Sequence, residues 1–375
     1  MTKTNKIIAV IVVALIIGFA FNYNNEAEVT NNSPIKLGAS ISLTGVAADF
    51  GEMSRKAMVM AVDEINAAGG IKGRNVDLFI EDDATDPQTS ISAYRKLVDI
   101  NRVSAVIGGI FGFTLQPLVS IAEQNEITLV SPINFAIDGI LEMNPYTFVM
   151  YPEFDEVIIE LESVVREKNI QHLGMIRFES EFAKSIQTTL EKIMRNVNGA
   201  PLVTETYLGI GTSDFRTNIL KIKNQTLDAV FLDMLDFDII KYMNEARNLG
   251  FKKPIIGYTT FRDVVNNKDV NKADIEGALM IDWEIPSDEF SKAFFVKYGE
   301  MPRRGANKSY DTIYVLAEAI ANTNNQEDVP KYMETHSFKT LNGSFEFTPE
   351  HTVAKTPVKI FEVRNGQLVE IKSSN

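Results

Sequence analysis

The sequence predicts an α/β protein built as two lobes, each a parallel sheet covered by helices. Three observations carry that reading. Strands and helices alternate along most of the chain, the alternation restarts after 146–150, and 375 residues with 45% hydrophobic content exceed what one core normally holds.

The first strand is expected over 35–43, followed by the turn pair Thr44-Gly45. A helix follows over about 51–67, because Met53, Ala57, Ala61 and Ile65 recur four apart and form one packing stripe. Gly69-Gly70 ends it, since glycine accepts the left-handed conformation that closes a helix. Strand 76–81 runs into Asp82-Asp83. Helix 87–101, strand 105–109 with its glycine-rich exit, helix 115–124 and strand 127–131 come next, until Pro132 breaks the run. Strands separated by helices of this length pair in parallel, and ligands meet such sheets beyond the carboxyl ends of the strands.

The second series reads helix 154–168, strand 173–176, helix 181–197, strand 203–208, helix 215–224, strand 229–232, helix 237–249 stopped by Gly250, and strand 255–257. Residues 275–283 lead to Pro286, a helix near 288–298 and a longer one over 308–321. The end alternates differently. Phe345, Phe347, Val358, Ile360, Phe361 and Val363, with the turn Asn365-Gly366, predict antiparallel strands or a hairpin, because both turn residues accept positive φ.

Composition narrows the function classes. A net charge of -13, from 50 acidic against 37 basic residues, argues against a protein that tracks a nucleic-acid backbone. Lys3 and Lys6 precede an uncharged apolar run over 7–21, after which polar residues return at once. That is the layout of a signal peptide or N-terminal membrane anchor, shorter than the roughly 20 residues of a comfortable span. Residues 1–34 are therefore assigned as this segment plus a linker, contacting the membrane during export or as an anchor. Cysteine is absent, which excludes disulfides and a lipid-modified cysteine.

The same inventory gives no catalytic residue and no cofactor. His172, His336 and His351 stand in no hydrolase pattern, and Gly38, Gly45, Gly108, Gly109 and Gly112 make neither a dinucleotide fingerprint nor a phosphate loop. Asp82, Asp83 and Asp86 beside Pro87 suit helix capping better than a metal site.

Several segments carry a family resemblance: IKLGASISLTGVAADFGE, AVDEINAAGGIKGRNVDLFIEDDATDP, VSAVIGG and ITLVSP, and more weakly 173–174, 212–215, 228–231, 275–277 and 310–311. Together they resemble the leucine/isoleucine/valine-binding protein family over nearly all of 35–363. The resemblance implies a type I periplasmic binding fold: two Rossmann-like lobes, a ligand cleft and three interlobe crossings. Residues 35–150 and 284–338 would form the first lobe, and 151–283 with 339–375 the second. It also implies capture of a small polar or amphipathic solute outside the cytoplasm, an amino acid or a similar compound among the options, with delivery to an ABC-type permease. A membrane-tethered ligand sensor is the alternative, because related lobes serve as receptor modules.

The resemblance places candidate ligand contacts. Thr44 and Phe50 lie on the first cleft loop. In amino-acid-binding relatives a hydroxyl-rich loop after the third strand receives the substrate carboxylate; here Phe111, Phe113 and Thr114 occupy it, so backbone anion recognition, an apolar wall or simple loop packing is expected. Asn134 offers an amide donor and acceptor, or forms a turn. Across the cleft, Phe182, Asp233 (or Asp236) and Thr259 are the candidates, Thr259 near a place where relatives use an acid for the ammonium. Trp283, the single tryptophan, is the hinge candidate.

Overall fold

A computed structural model describes residues 33–134, 144–212, 214–354 and 356–374. The expected export segment at 7–21 and Phe135, beside Asn134, lie outside the described residues. No helix among those described is long and apolar enough to cross a membrane.

The first sheet has five parallel strands, β1 (Ile35–Ile41), β2 (Val76–Asp82), β3 (Ala105–Gly108), β4 (Thr128–Ser131) and β5 (Thr147–Val149), in the order β2-β1-β3-β4-β5. Every residue of β3 and β4 is buried, as expected of strands covered on both faces. Helix α1 (Ala48–Ala67) buries the predicted stripe of Met53, Ala57, Ala61 and Ile65. Helix α2 (Pro87–Arg95) starts on Asp86, whose side chain accepts the Thr89 N–H, so this acid caps a helix. It continues as a π-helical stretch Lys96–Asn101. Helix α3 (Gly112–Asn125) follows Gly109, which holds φ 70° where a side chain would strike Leu115.

The second sheet contains β6 (Leu173–Phe178), β7 (Val203–Tyr207), β8 (Ala229–Asp233), β9 (Ile255–Gly257) and β10 (Leu279–Asp282), all parallel, then the antiparallel β11 (Val358–Arg364) and β12 (Gln367–Ser374). Asn365 and Gly366 both hold positive φ between the paired Arg364 and Gln367, the two-residue hairpin turn their sequence predicts. Helix 154–168 divides into α4 (Phe154–Ile158) and α5 (Leu161–Glu167), because Glu160 and Glu162 donate to carbonyls only three residues back, tightening the turn between them. Helices α6 (Glu181–Asn196), α7 (Arg216–Lys223), α8 (Asp236–Asn248) and the short α9 (Phe261–Asn266) complete this lobe.

The chain crosses between the sheets three times. It leaves β5 for α4, and returns from β10 to α10 (Asp288–Tyr298) and α11 (Ala306–Asn322), the latter packed on α1 and β1. It crosses again from a two-stranded sheet, Ser337–Thr340 with Gly343–Glu346, into β11. That small sheet straddles the lobe boundary drawn at 338/339. Phe338 and Phe345 pack with ring centroids 6.0 Å apart, and Phe347 meets Phe148 of β5 at 5.0 Å, so aromatic packing keeps both of its strands beside the first sheet.

Candidate functional site

The crossings lie side by side. Tyr151, just past β5, donates its hydroxyl to Glu284, just past β10, and accepts the Val353 N–H through its carbonyl at 3.1 Å. Glu284 also accepts the Gly305 N–H and faces Arg304 at 3.8 Å. Trp283 is 2% exposed, with its ring edge-on to Tyr151 and stacked on Tyr258, each at 5.9 Å. One buried cluster therefore touches every crossing.

Beside it lies a cavity of about 210 Å³ between the lobes. Its walls come from the segment after β1 (Gly45 to Met53), the starts of α8 and α9, and the residues before α11. These are the carboxyl ends of strands in both sheets, where open α/β sheets bind ligands. Phe50 and Ala47 of the first lobe bury against Leu235 of the second, so the lobes are in apolar contact beside the cavity. The Arg304 guanidinium lies 5.6 Å from the Phe50 ring centre and 6.0 Å from that of Tyr258, one ring from each lobe. Burial works against the Arg304 charge, but Tyr151 and Glu284 more than offset it and hold its pKa above the ordinary value.

Three carboxylates and two guanidiniums line the cavity: Asp49, Asp236, Asp263, Arg303 and Arg304. Arg303 faces Asp49 at 3.8 Å. Burial raises the Asp236 carboxyl, and burial with the nearby Asp236 charge lifts Asp263 to about 6. A wider depression of about 400 Å³ runs along edge strand β2, but it lies within one lobe and offers no opposing wall.

The residues singled out from sequence divide by position. Phe50 lines the cavity. Phe111 meets Phe50 edge-on at 6.5 Å and stacks on Phe113 at 5.4 Å, and neither Phe111 nor Phe113 is among the residues that line the cavity. Thr114 spends its hydroxyl on the Phe111 carbonyl, 3.0 Å away, at the start of α3. Asn134 donates its amide to the Gly109 carbonyl and the Ser131 hydroxyl. Thr44 donates to Asp82 at 2.6 Å. Phe182 packs edge-on against Phe154 at 5.1 Å. Asp233 is buried and receives the Tyr258 hydroxyl at 3.0 Å and the Phe178 N–H at 3.2 Å. The Thr259 hydroxyl is buried without a hydrogen-bond partner among the described residues.

Arg303, Arg304, Asp263 and Glu284 were not singled out. The pair Arg303-Arg304 before Gly305 reads locally as a solvated helix start, and Asp263 as a helix-start acid; only the fold brings all three to the cavity.

The buried acids set a pH dependence. Burial first of all lifts Asp233, Asp238 and Asp263 to about 6 in the folded chain, against an ordinary value of 3.8. Between those limits the folded state binds more protons than the unfolded state, so stability falls as pH rises. The melting temperature of the ligand-free protein is expected to be higher at about pH 5 than at about pH 7. A flat or rising profile in a pH series of thermal melts would contradict this assignment of the buried carboxyls.

Comparison with known proteins agrees with this architecture. A family model described as periplasmic binding protein matches residues 34–367. The Leu/Ile/Val-binding protein homolog 7 of Brucella abortus (strain 2308) is 24% identical over 317 residues, covering 77% of each chain. The branched-chain amino acid transporter substrate binding protein LivJ from Streptococcus pneumoniae, solved with isoleucine, superposes with a TM-score of 0.79 at 24% identity, covering 91% of this chain and 98% of that one. An ABC transporter solute binding protein from Rhodopseudomonas palustris BisB5, solved with 3,4-dihydroxy benzoic acid, gives 0.80 at 17% identity, covering 92% and 98%.

Proposed function

The chain belongs to the periplasmic binding protein family, and from that premise we propose that it captures a small polar or amphipathic solute outside the cytoplasm and hands it to an ABC-type permease. The observation that supports this reading is the cavity between the lobes, walled by strand ends of both sheets beside the three crossings. Opening at the crossings admits a solute, and closure surrounds it with groups from both lobes. Closure needs no bond to change: the solute shifts an open–closed population by binding the closed form better. The basic and apolar start of the sequence supports export, as a cleaved signal or a retained anchor, and Trp283 serves as the hinge packing residue.

Thermal-shift and calorimetric screening of amino acids, short amides, aromatic acids and nucleobases tests the reading. A true ligand at 100 times its Kd is expected to stabilise the fold by about 2.7 kcal/mol. Small-angle scattering should show compaction at saturation. A well-folded protein that no solute stabilises would count against capture, and unchanged scattering with a bound ligand would count against lobe closure.

A further inference from the structure

We propose that Leu235 and Ile210, meeting Ala47 and Phe50 across the cleft, form an apolar clasp that closes the lobes before a solute arrives and so raises the affinity for every solute by one factor. This rests on the solute-capture reading above.

The clasp stands apart from the lobe interiors. Leu235, between β8 and α8, is buried, yet its buried apolar partners are Ala47 and Phe50 of the first lobe, and it belongs to no core of its own lobe. Ile210, just past β7, and Phe111, in the loop after β3, pack against the same group. Separating the lobes would return these side chains to water, so their burial favours the closed form whatever the cavity holds. Of the five residues only Phe50 lines the cavity. The other four act on closure and not on the solute.

Each side of the clasp is held at a fixed post. Ala47 donates its N–H to the Thr85 hydroxyl at 3.3 Å, and its carbonyl accepts the Phe50 and Gly51 N–H groups at 3.0 and 3.1 Å where α1 starts. The Leu235 carbonyl accepts the Ile239 N–H at 2.9 Å where α8 starts, and the Thr260 hydroxyl holds the neighbouring Met234 carbonyl at 3.0 Å. Gly211, next to Ile210, donates its N–H to Asp238 at 3.0 Å. Every one of these bonds lies within a single lobe, so opening breaks none of them. Surfaces already ordered in this way meet at little further cost in entropy. A solute that fits only the closed form then binds with its intrinsic affinity multiplied by the closed fraction. The clasp sets that fraction, and the cavity lining sets which solute fits.

Small-angle scattering of the purified, solute-free protein is the deciding measurement. Leu235→Ser removes the apolar contact and puts a hydroxyl at the N-cap of α8, where serine is favoured, so the variant is expected to melt cooperatively. Its solute-free scattering should be more extended than that of the parent, and Leu235→Met should keep the parental curve. Isoleucine, leucine and benzoate serve as calorimetric probes. Each that binds the parent should bind Leu235→Ser about 10-fold more weakly, by a common factor. Ile210→Ser carries the same test on a different element and should move both readouts in the same direction. Superposable solute-free curves for the parent and both serine variants would overturn the clasp. So would a loss confined to one probe, which would make Leu235 a contact residue. Neither result touches capture, which falls only if a folded parent is stabilised by no solute of the broader screen.

Discussion

Glu284→Ala is expected to destabilise the folded chain by about 3–5 kcal/mol, the range for breaking a buried ion pair by removing one partner. Glu284 is 5% exposed and sits where the chain leaves β10 for the first lobe. Its carboxylate receives the Tyr151 hydroxyl and the Gly305 N–H and stands opposite Arg304. The truncation removes the counter-charge of a guanidinium already packed between two rings, and it leaves the Gly305 N–H without its acceptor. Both costs are desolvation costs that water cannot refund in so closed a place. Glu284→Gln keeps an acceptor and the side-chain volume, so it should cost clearly less than the alanine change. Urea denaturation of the three proteins measures the difference as a shift in midpoint at constant slope. A loss below about 1 kcal/mol for Glu284→Ala would mean that the pair does not hold the crossings together.

That network shows what sequence reasoning reaches and what it does not. The fold was legible because its signals are local: a stripe at Met53, Ala57, Ala61 and Ile65, a glycine exit at Gly69-Gly70, a positive-φ pair at Asn365-Gly366. Each depends on residues a few places apart. The crossings are different. Tyr151 and Glu284 are 133 positions apart, and no periodicity links them. Family resemblance implies the number of crossings; the side chains that lock them meet only in the folded structure.

The cavity was legible on one side. Phe50 follows the first strand directly, so the rule that ligands gather beyond strand ends reaches it. Thr114 and Asn134 were singled out for their chemistry, and the fold applies that chemistry to its own backbone carbonyls. Local capping competes for hydroxyls and amides in loops, and a sequence does not show which partner wins. Arg304 and Asp263 presented the opposite difficulty. Charged residues at helix starts are ordinarily solvated, and six-residue α9 is too short to announce itself by periodicity.

Gly51→Ala is expected to cost about 2–3 kcal/mol, the upper part of the range for overpacking, although the same change in an exposed helix would gain up to about 1 kcal/mol. The sign reverses because of what Gly51 touches. It is buried in the first turns of α1, and a Cβ there would overlap the Ser42 carbonyl oxygen. That oxygen belongs to backbone that cannot easily yield: the Ser42 hydroxyl is bound to Asp83 at 2.6 Å, and Asp82 holds the Leu43 and Thr44 N–H groups at 2.9 and 3.1 Å. The helix must therefore move instead, and its first turns carry Asp49, Phe50 and Met53, all cavity-lining residues. Stability and solute affinity should fall together in Gly51→Ala. Gly209→Ala provides the contrast, since a Cβ at Gly209 meets nothing within 4 Å, and it should stay within about 0.5 kcal/mol of the parent. Denaturation midpoints and calorimetric affinities for both variants check this. A Gly51→Ala protein with parental affinity would show that α1 can shift without moving the cavity wall, and would detach the binding site from the packing that builds it.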